Sequence, residues 1–159
     1  MTIILSGDNG VTFPNSTVQA SSGVVLQVVQ GTLASTTSTT STSYVTSGLT
    51  ASITPKFATS KVLVMVNGGK TYASNDKIIG NMYRNGTTLG ASASWVSIEV
   101  NFVGGVASNH SFCYLDSPAT VSSTTYTAYF KSSGGSAVYF SDTPTNTGQV
   151  TITLMEIAA

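Results

Sequence analysis

The chain has 159 residues, 41% of them hydrophobic and 9% aromatic, which is enough to bury one core and too little for two comfortable domains. Only 8% are charged, against about a quarter in an average soluble domain, and six basic and six acidic residues cancel as scattered single charges. No basic stripe exists to neutralise phosphates, so nucleic acid is not an expected partner, while little electrostatic repulsion opposes self-association.

At the start, MTIILSGDNG lacks a basic leader and no stretch approaches the roughly 18 apolar residues of a membrane span, so cytoplasmic synthesis and no membrane partner are expected. Thr2 to Leu5, Val11 to Phe13 and Val18-Gln19 are short runs cut by Gly and Pro, which cannot form a core alone. Residues 1–23 read as an extended N-terminal arm that docks on a neighbour through Ile3, Leu5, Val11, Phe13 and Val18. An edge strand of the main domain is the alternative.

Val24 to Gln30 and Lys61 to Val66 are strands with two largely apolar faces. Antiparallel sheets normally turn one face to water, and no amphipathic helix is available as cover. A second sheet on one side and another subunit on the other would supply it, with Val25, Val29, Val62, Val64, Val66, Met155 and Ile157 as interface candidates. Between these strands, Ser35 to Ser43 (STTSTTSTS) favours a Thr-rich exposed strand or long loop. Pro55 ends a strand over Leu49 to Thr54.

Ile78 to Arg84 precedes Asn85-Gly86, the preferred pair for a two-residue type I′ hairpin. Trp95 to Phe102 alternates, with Val96, Ile98, Val100 and Phe102 inward. From Phe112 to Phe140 three apolar runs read as consecutive antiparallel strands, with Tyr126, Ala128 and Phe130 sharing a face. Gly134-Gly135 makes Lys131 to Ser141 a hairpin candidate, and Gly68-Gly69 and Gly104-Gly105 also read as turns. Val150 to Ile157 closes the chain, with Val150, Ile152 and Leu154 on one face. Eight to ten short strands without helical periodicity predict an all-β sandwich or jelly roll over residues 24–159.

Chemistry-bearing residues are sparse. His110 is the one histidine and lies in a polar stretch, with no nucleophile elbow to make a Ser-His-acid set. Asp8, Asp76, Glu99, Asp116, Asp142 and Glu156 are isolated in sequence, which disfavours a metal cluster or a facing carboxylate pair. Asp116 with Pro118 reads as a turn in which the carboxylate caps nearby backbone amides. Cys113 reads as a buried, inert thiol. Trp95, Tyr72, Tyr83 and Tyr44 could stack on sugars if exposed at loop tips, with core packing the default for Trp. No cofactor, metal or catalytic residue is expected.

Val11-Thr12-Phe13-Pro14-Asn15-Ser16-Thr17-Val18-Gln19 resembles a TFPDGT-Q segment of bacteriophage tail-fibre and virion structural proteins. VVLQVVQ, Ser60 to Val64, Tyr83 to Thr87, Tyr114 to Thr120 and Ile152 to Ile157 continue a likeness to a β module of phages of aquatic, cyanophage-type hosts. That resemblance implies a jelly-roll-like antiparallel β-sandwich that trimerises, in a virion assembled in the host cytoplasm. The absent fibre shaft and coiled coil favour capsid decoration, with the arm docking on other virion proteins such as the major capsid protein. A tail-fibre or receptor-binding tip for host surface glycans is the alternative.

Overall fold

The computed structural model describes residues 4–6, 10–12, 18–19, 23–73, 75–90, 94–99, 106–141 and 149–159, and every described element is a β-strand. Three short strands, β1 (Ile4–Ser6), β2 (Gly10–Thr12) and β3 (Val18–Gln19), pair in order as an antiparallel sheet of their own. Leu5, Val11 and Val18 of the expected arm therefore sit in strands that pair with one another, while Ile3 and Phe13 lie outside the described residues.

The sandwich is built from β4 (Val25–Leu33), β5 (Thr37–Thr39), β6 (Val45–Ile53), β7 (Lys61–Ala73), β8 (Lys77–Arg84), β9 (Thr87–Thr88), β10 (Ser94–Glu99), β11 (Val106–Asp116), β12 (Thr124–Ser132), β13 (Val138–Phe140) and β14 (Val150–Ile157). One sheet runs β4-β14-β7-β13-β5 with β11 also on β7; the other runs β10-β8-β12-β6 with β9 on β8. From β6 onward the chain changes sheet repeatedly, the connectivity of a jelly-roll-like sandwich.

The two sheets meet through the period-two alternation written in the strands. Tyr126, Ala128 and Phe130 of β12 are fully buried, as the alternation predicts, and Leu49, Ile53, Ile78 and Met82 share their layer. Opposite stand Val62, Val64, Val66, Phe140, Val150, Ile152 and Leu154, and the Phe130 and Phe140 rings meet at 5.5 Å. The Ser35 to Ser43 stretch forms β5 and its flanking turns. Asn85 and Gly86 both take positive φ, 49° and 79°, and pair Arg84 with Thr87 as the type I′ hairpin requires.

Two turn expectations are corrected. Lys131 to Ser141 is not a hairpin: β12 belongs to the five-stranded sheet, whereas β13 pairs β5 and β7 in the other. The Gly-rich connection crosses between layers, so the three runs from Phe112 to Phe140 alternate sheets instead of pairing in sequence. Gly68 and Gly69 do not turn the chain either. They lie inside β7, where the register against β11 slips by one residue, a bulge made possible by φ of 77° at Gly69.

At one side of the sandwich β4 closes on β6. A Cβ at Gly31 would overlap the Thr50 carbonyl oxygen, so only glycine permits this approach. Beside it β6 carries two extra residues opposite Thr127 to Tyr129, and the Ser47 hydroxyl donates to the Ala128 carbonyl at 2.7 Å. That side chain restores a backbone partner displaced by the bulge. Gly31→Ala is expected to destabilise the fold by about 3 kcal/mol, read as a lower urea midpoint with an unchanged denaturant slope.

Candidate functional site

Three carboxylates are buried inside the described sandwich, at exposures of 7% for Asp76, 6% for Asp116 and 0% for Glu156. Asp76 lies in the β7–β8 connection and accepts from Lys77 N at 2.6 Å, Ser132 Oγ at 2.6 Å, Gly134 N at 2.8 Å and Ser136 N at 2.8 Å. Burial pushes its pKa up, and these hydrogen bonds together outweigh burial to hold it at about 2. Glu156 on β14 accepts from Gln27 Nε2 at 2.6 Å and from the amides of Lys56 at 2.7 Å and Phe57 at 3.4 Å. Burial again raises its pKa and the hydrogen bonds prevail, leaving it below the usual carboxylate value. Asp116 accepts from Arg84 Nη1 at 2.7 and 2.9 Å and from Tyr126 Oη at 2.6 Å. It therefore pins β11 to β8 and β12, in place of the local amide cap expected for the Asp116–Pro118 turn. Burial, and then the bond to Asp116, push the Tyr126 phenol well above its ordinary pKa.

Each carboxylate holds a crossing between sheets, and none faces another across a cleft. Among the described residues no three His, Cys, Asp or Glu side chains group as metal ligands. Asp8 and Asp142 lie outside the described residues, and so do the side chains of Glu99, His110 and Trp95.

The outer face of the six-stranded sheet carries a graded surface. Register places Val28, Met155, Leu63 and Leu115 in one transverse row, with Val25, Ile157 and Lys61 in the row towards the strand ends. Moving the other way, the rows become Gln30–Thr153–Met65–Cys113 and then Thr32–Thr151–Asn67–Ser111. Val28 is 56% exposed, Val25 49% and Leu115 47%. A groove of about 660 Å³ runs over the more polar rows, bounded by Gln30, Met65, Asn67 and Cys113.

The interface candidates divide on this geometry. Val62, Val64 and Val66 point inward and belong to the core, and Val29 packs against it. Val25, Met155 and Ile157 lie on the outer face, accompanied by Leu63, Leu115 and Val28, which the interface set lacked. Cys113 is exposed rather than buried. It falls on the outward parity of β11, while Phe112 and Tyr114 on the inward parity pack against the core.

The opposite outer face, on the five-stranded sheet, carries aromatics and hydroxyls. Tyr83 stacks on Tyr129 at 3.9 Å, Tyr44 meets Tyr83 edge-on at 6.1 Å, and Lys131 Nζ lies 4.9 Å from the Tyr44 ring centroid. Thr50 bonds Thr127 at 3.0 Å and Ser52 bonds Thr125 at 2.7 Å along the same face. Burial, followed by its tyrosine neighbours, raises the Tyr83 pKa. Tyr72 pairs with Tyr139 on the other sheet at 5.7 Å.

No protein-family model and no curated protein matches the sequence. Among solved structures, the chain is similar to infectious bursal virus derived T=1 particles, at 13% identity and a TM-score of 0.46, over 98% of this chain and 44% of that one. It is also similar to a mutant VP2 protein of infectious bursal disease virus in derived T=1 particles, at 16% identity and a TM-score of 0.44, with the same coverages. The chain spans less than half the length of these structures.

The Asp76 cluster gives a pH dependence of defined sign. Its folded pKa of about 2 lies below the ordinary aspartate value of 3.8, so its stabilisation is complete above about pH 4 and is lost as pH falls towards 2. Asp76→Asn is expected to cost about 2 kcal/mol at pH 7. Urea unfolding should show that gap narrowing between pH 4 and pH 2.

Proposed function

We propose that this chain is a non-enzymatic virion structural protein, a capsid decoration or cement module that acts by assembling. The observation that carries this reading is the apolar row Val28–Met155–Leu63–Leu115, which crosses four strands on a sheet face without a covering element among the described residues. Contiguous exposed apolar surface marks association sites in soluble proteins. The low charge content adds little repulsion between copies. The sequence likeness of Val11 to Gln19 and of the later segments to phage virion proteins supplies the setting. Homotrimers formed through the outer face of the six-stranded sheet, with residues 1–23 and the major capsid protein completing the attachment, are part of the proposal.

A second reading is favoured by the Tyr44–Tyr83–Tyr129 cluster: a receptor-binding tip for host surface glycans. Tyrosine rings flanked by threonine hydroxyls suit the apolar faces and hydroxyl rims of sugars. It assigns the five-stranded face to recognition and leaves the six-stranded face for assembly.

Sedimentation of the full chain should give a trimer at micromolar concentration, and Val28→Lys with Leu115→Lys should give a folded monomer. A wild-type monomer at that concentration overturns the self-association. Quantitative mass spectrometry of purified particles should count hundreds of copies for decoration and a few dozen or fewer for a tail appendage. For the second reading, binding to neutral hexasaccharides should fall at least tenfold in Tyr83→Ala; absence of any binding by the wild type removes it.

A further inference from the structure

Two crossings run over the same end of the sandwich, residues 54–60 from β6 to β7 and residues 117–123 from β11 to β12, and the register pair Ile53 with Thr124 places them side by side. Each presents a bare apolar side chain, Phe57 at 56% exposure and Val121 at 55%. Val24 and Val25, at 39% and 49%, stand at the same end, where Gly23 N donates to the Ala158 carbonyl at 2.7 Å. The other exposed large hydrophobics, Val28 and Leu115, lie within a few residues of it. The described connections at the opposite end, by contrast, include none of the exposed large hydrophobics.

These tips are fixed in place. Glu156 holds the amides of Lys56 and Phe57 from inside the sandwich, and Gln27 links the same carboxylate to the Thr54 carbonyl at 2.7 Å. Arg84, clamped on Asp116, reaches the Ser117 carbonyl at 3.5 Å. A phenylalanine that is exposed yet anchored through a fully buried carboxylate loses little freedom when it docks, which is how preorganised contacts gain affinity. Charge is arranged with equal asymmetry. Among the described residues both acidic side chains at this end, Asp116 and Glu156, are buried, while Lys56 and Lys61 are exposed beside the apolar tips.

Resting on the structural-protein reading above, we propose that this end is a docking surface for an acidic segment of a different protein, one that sets an aromatic or aliphatic anchor between carboxylates. Complementary charge gives register and suppresses wrong partners. A second copy docked end to end by a two-fold would oppose lysine to lysine over the same patch, so the self-association assigned to the sheet face does not use it. A bilayer would take the apolar tips, yet two lysines are fewer than the four to eight of a typical anionic-lipid cluster.

The test uses the immobilised full chain and a random dodecapeptide display library. Recovered peptides should pair at least two Asp or Glu with an aromatic or aliphatic residue, and a fluorescein-labelled copy should bind with a micromolar Kd. Phe57→Ser with Val121→Ser should weaken it at least tenfold. Lys56→Glu with Lys61→Glu should also weaken it tenfold and recover basic peptides in a fresh selection. All four positions are exposed, and unchanged melting temperatures would confirm that the variants fold. No enrichment, enrichment indifferent to both double variants, or binding confined to phosphatidylglycerol vesicles overturns the proposal. Particle incorporation separates the two readings: wild-type chain present in particles with unimpaired entry of the Phe57→Ser, Val121→Ser variant sinks this docking surface alone. Absence of the wild type from particles sinks the virion reading and leaves the peptide result standing.

Discussion

A strand that leaves one sheet to enter the other must carry its backbone through a turn where ladder partners are missing, and unpaired buried amides are costly. This chain makes such crossings repeatedly, and it meets the cost with buried carboxylates. Glu156 accepts amides of the β6–β7 crossing and Asp76 those of the β7–β8 and β12–β13 crossings, while Asp116 takes no amide among the described residues and braces the start of the β11–β12 crossing through Arg84 and Tyr126. A carboxylate suits this task because its two oxygens accept several N–H and O–H donors at once, and charge strengthens each bond. Asp76 and Glu156 are held by amides and neutral side chains among the described contacts, while Asp116 has Arg84.

That internal use of acids has an external consequence. A chain with equal numbers of acidic and basic residues places all three of its described acidic side chains inside. Lys56 and Lys61 remain outside at the end where two of those acids are buried. The interactions that hold the crossings thereby shape the surface: the Phe57 amide is tied to Glu156, and the two acidic side chains described at this end are both buried.

Much of the fold is legible in the sequence because its alternation is strong. Tyr126, Ala128, Phe130, Val150, Ile152 and Leu154 can be assigned to the interior from period two alone, and Asn85-Gly86 announces its own turn. What the sequence leaves hidden is which sheet each strand joins. Gly134-Gly135 suits a hairpin and an inter-sheet crossing equally well. The deciding contact is Asp76, 56 residues from Ser132 along the chain. Gly68-Gly69 misleads for a related reason: two glycines permit a turn or a bulge, and the bulge is selected by pairing with β11 and by the close packing of Gly69 on Val150. The surface rows are hidden too, because parity within β7 can be read locally while the alignment of Val28, Met155, Leu63 and Leu115 depends on three separate registers.

β7 shows why a two-faced strand does not by itself define an interface. Its inward residues, Val62, Val64 and Val66, are consumed by the core, so removing one would cost stability before it touched association. Its outward Leu63 gains meaning only from Met155, Val28 and Leu115 in the same row, whereas Met65 lies in the more polar row of Gln30, Thr153 and Cys113. Burying a half-exposed valine or leucine is worth on the order of 1 kcal/mol, too little for one residue to hold two subunits together. A row across four strands multiplies that contribution, and strand register, more than hydrophobicity alone, gathers these residues into one apolar row on the outer face.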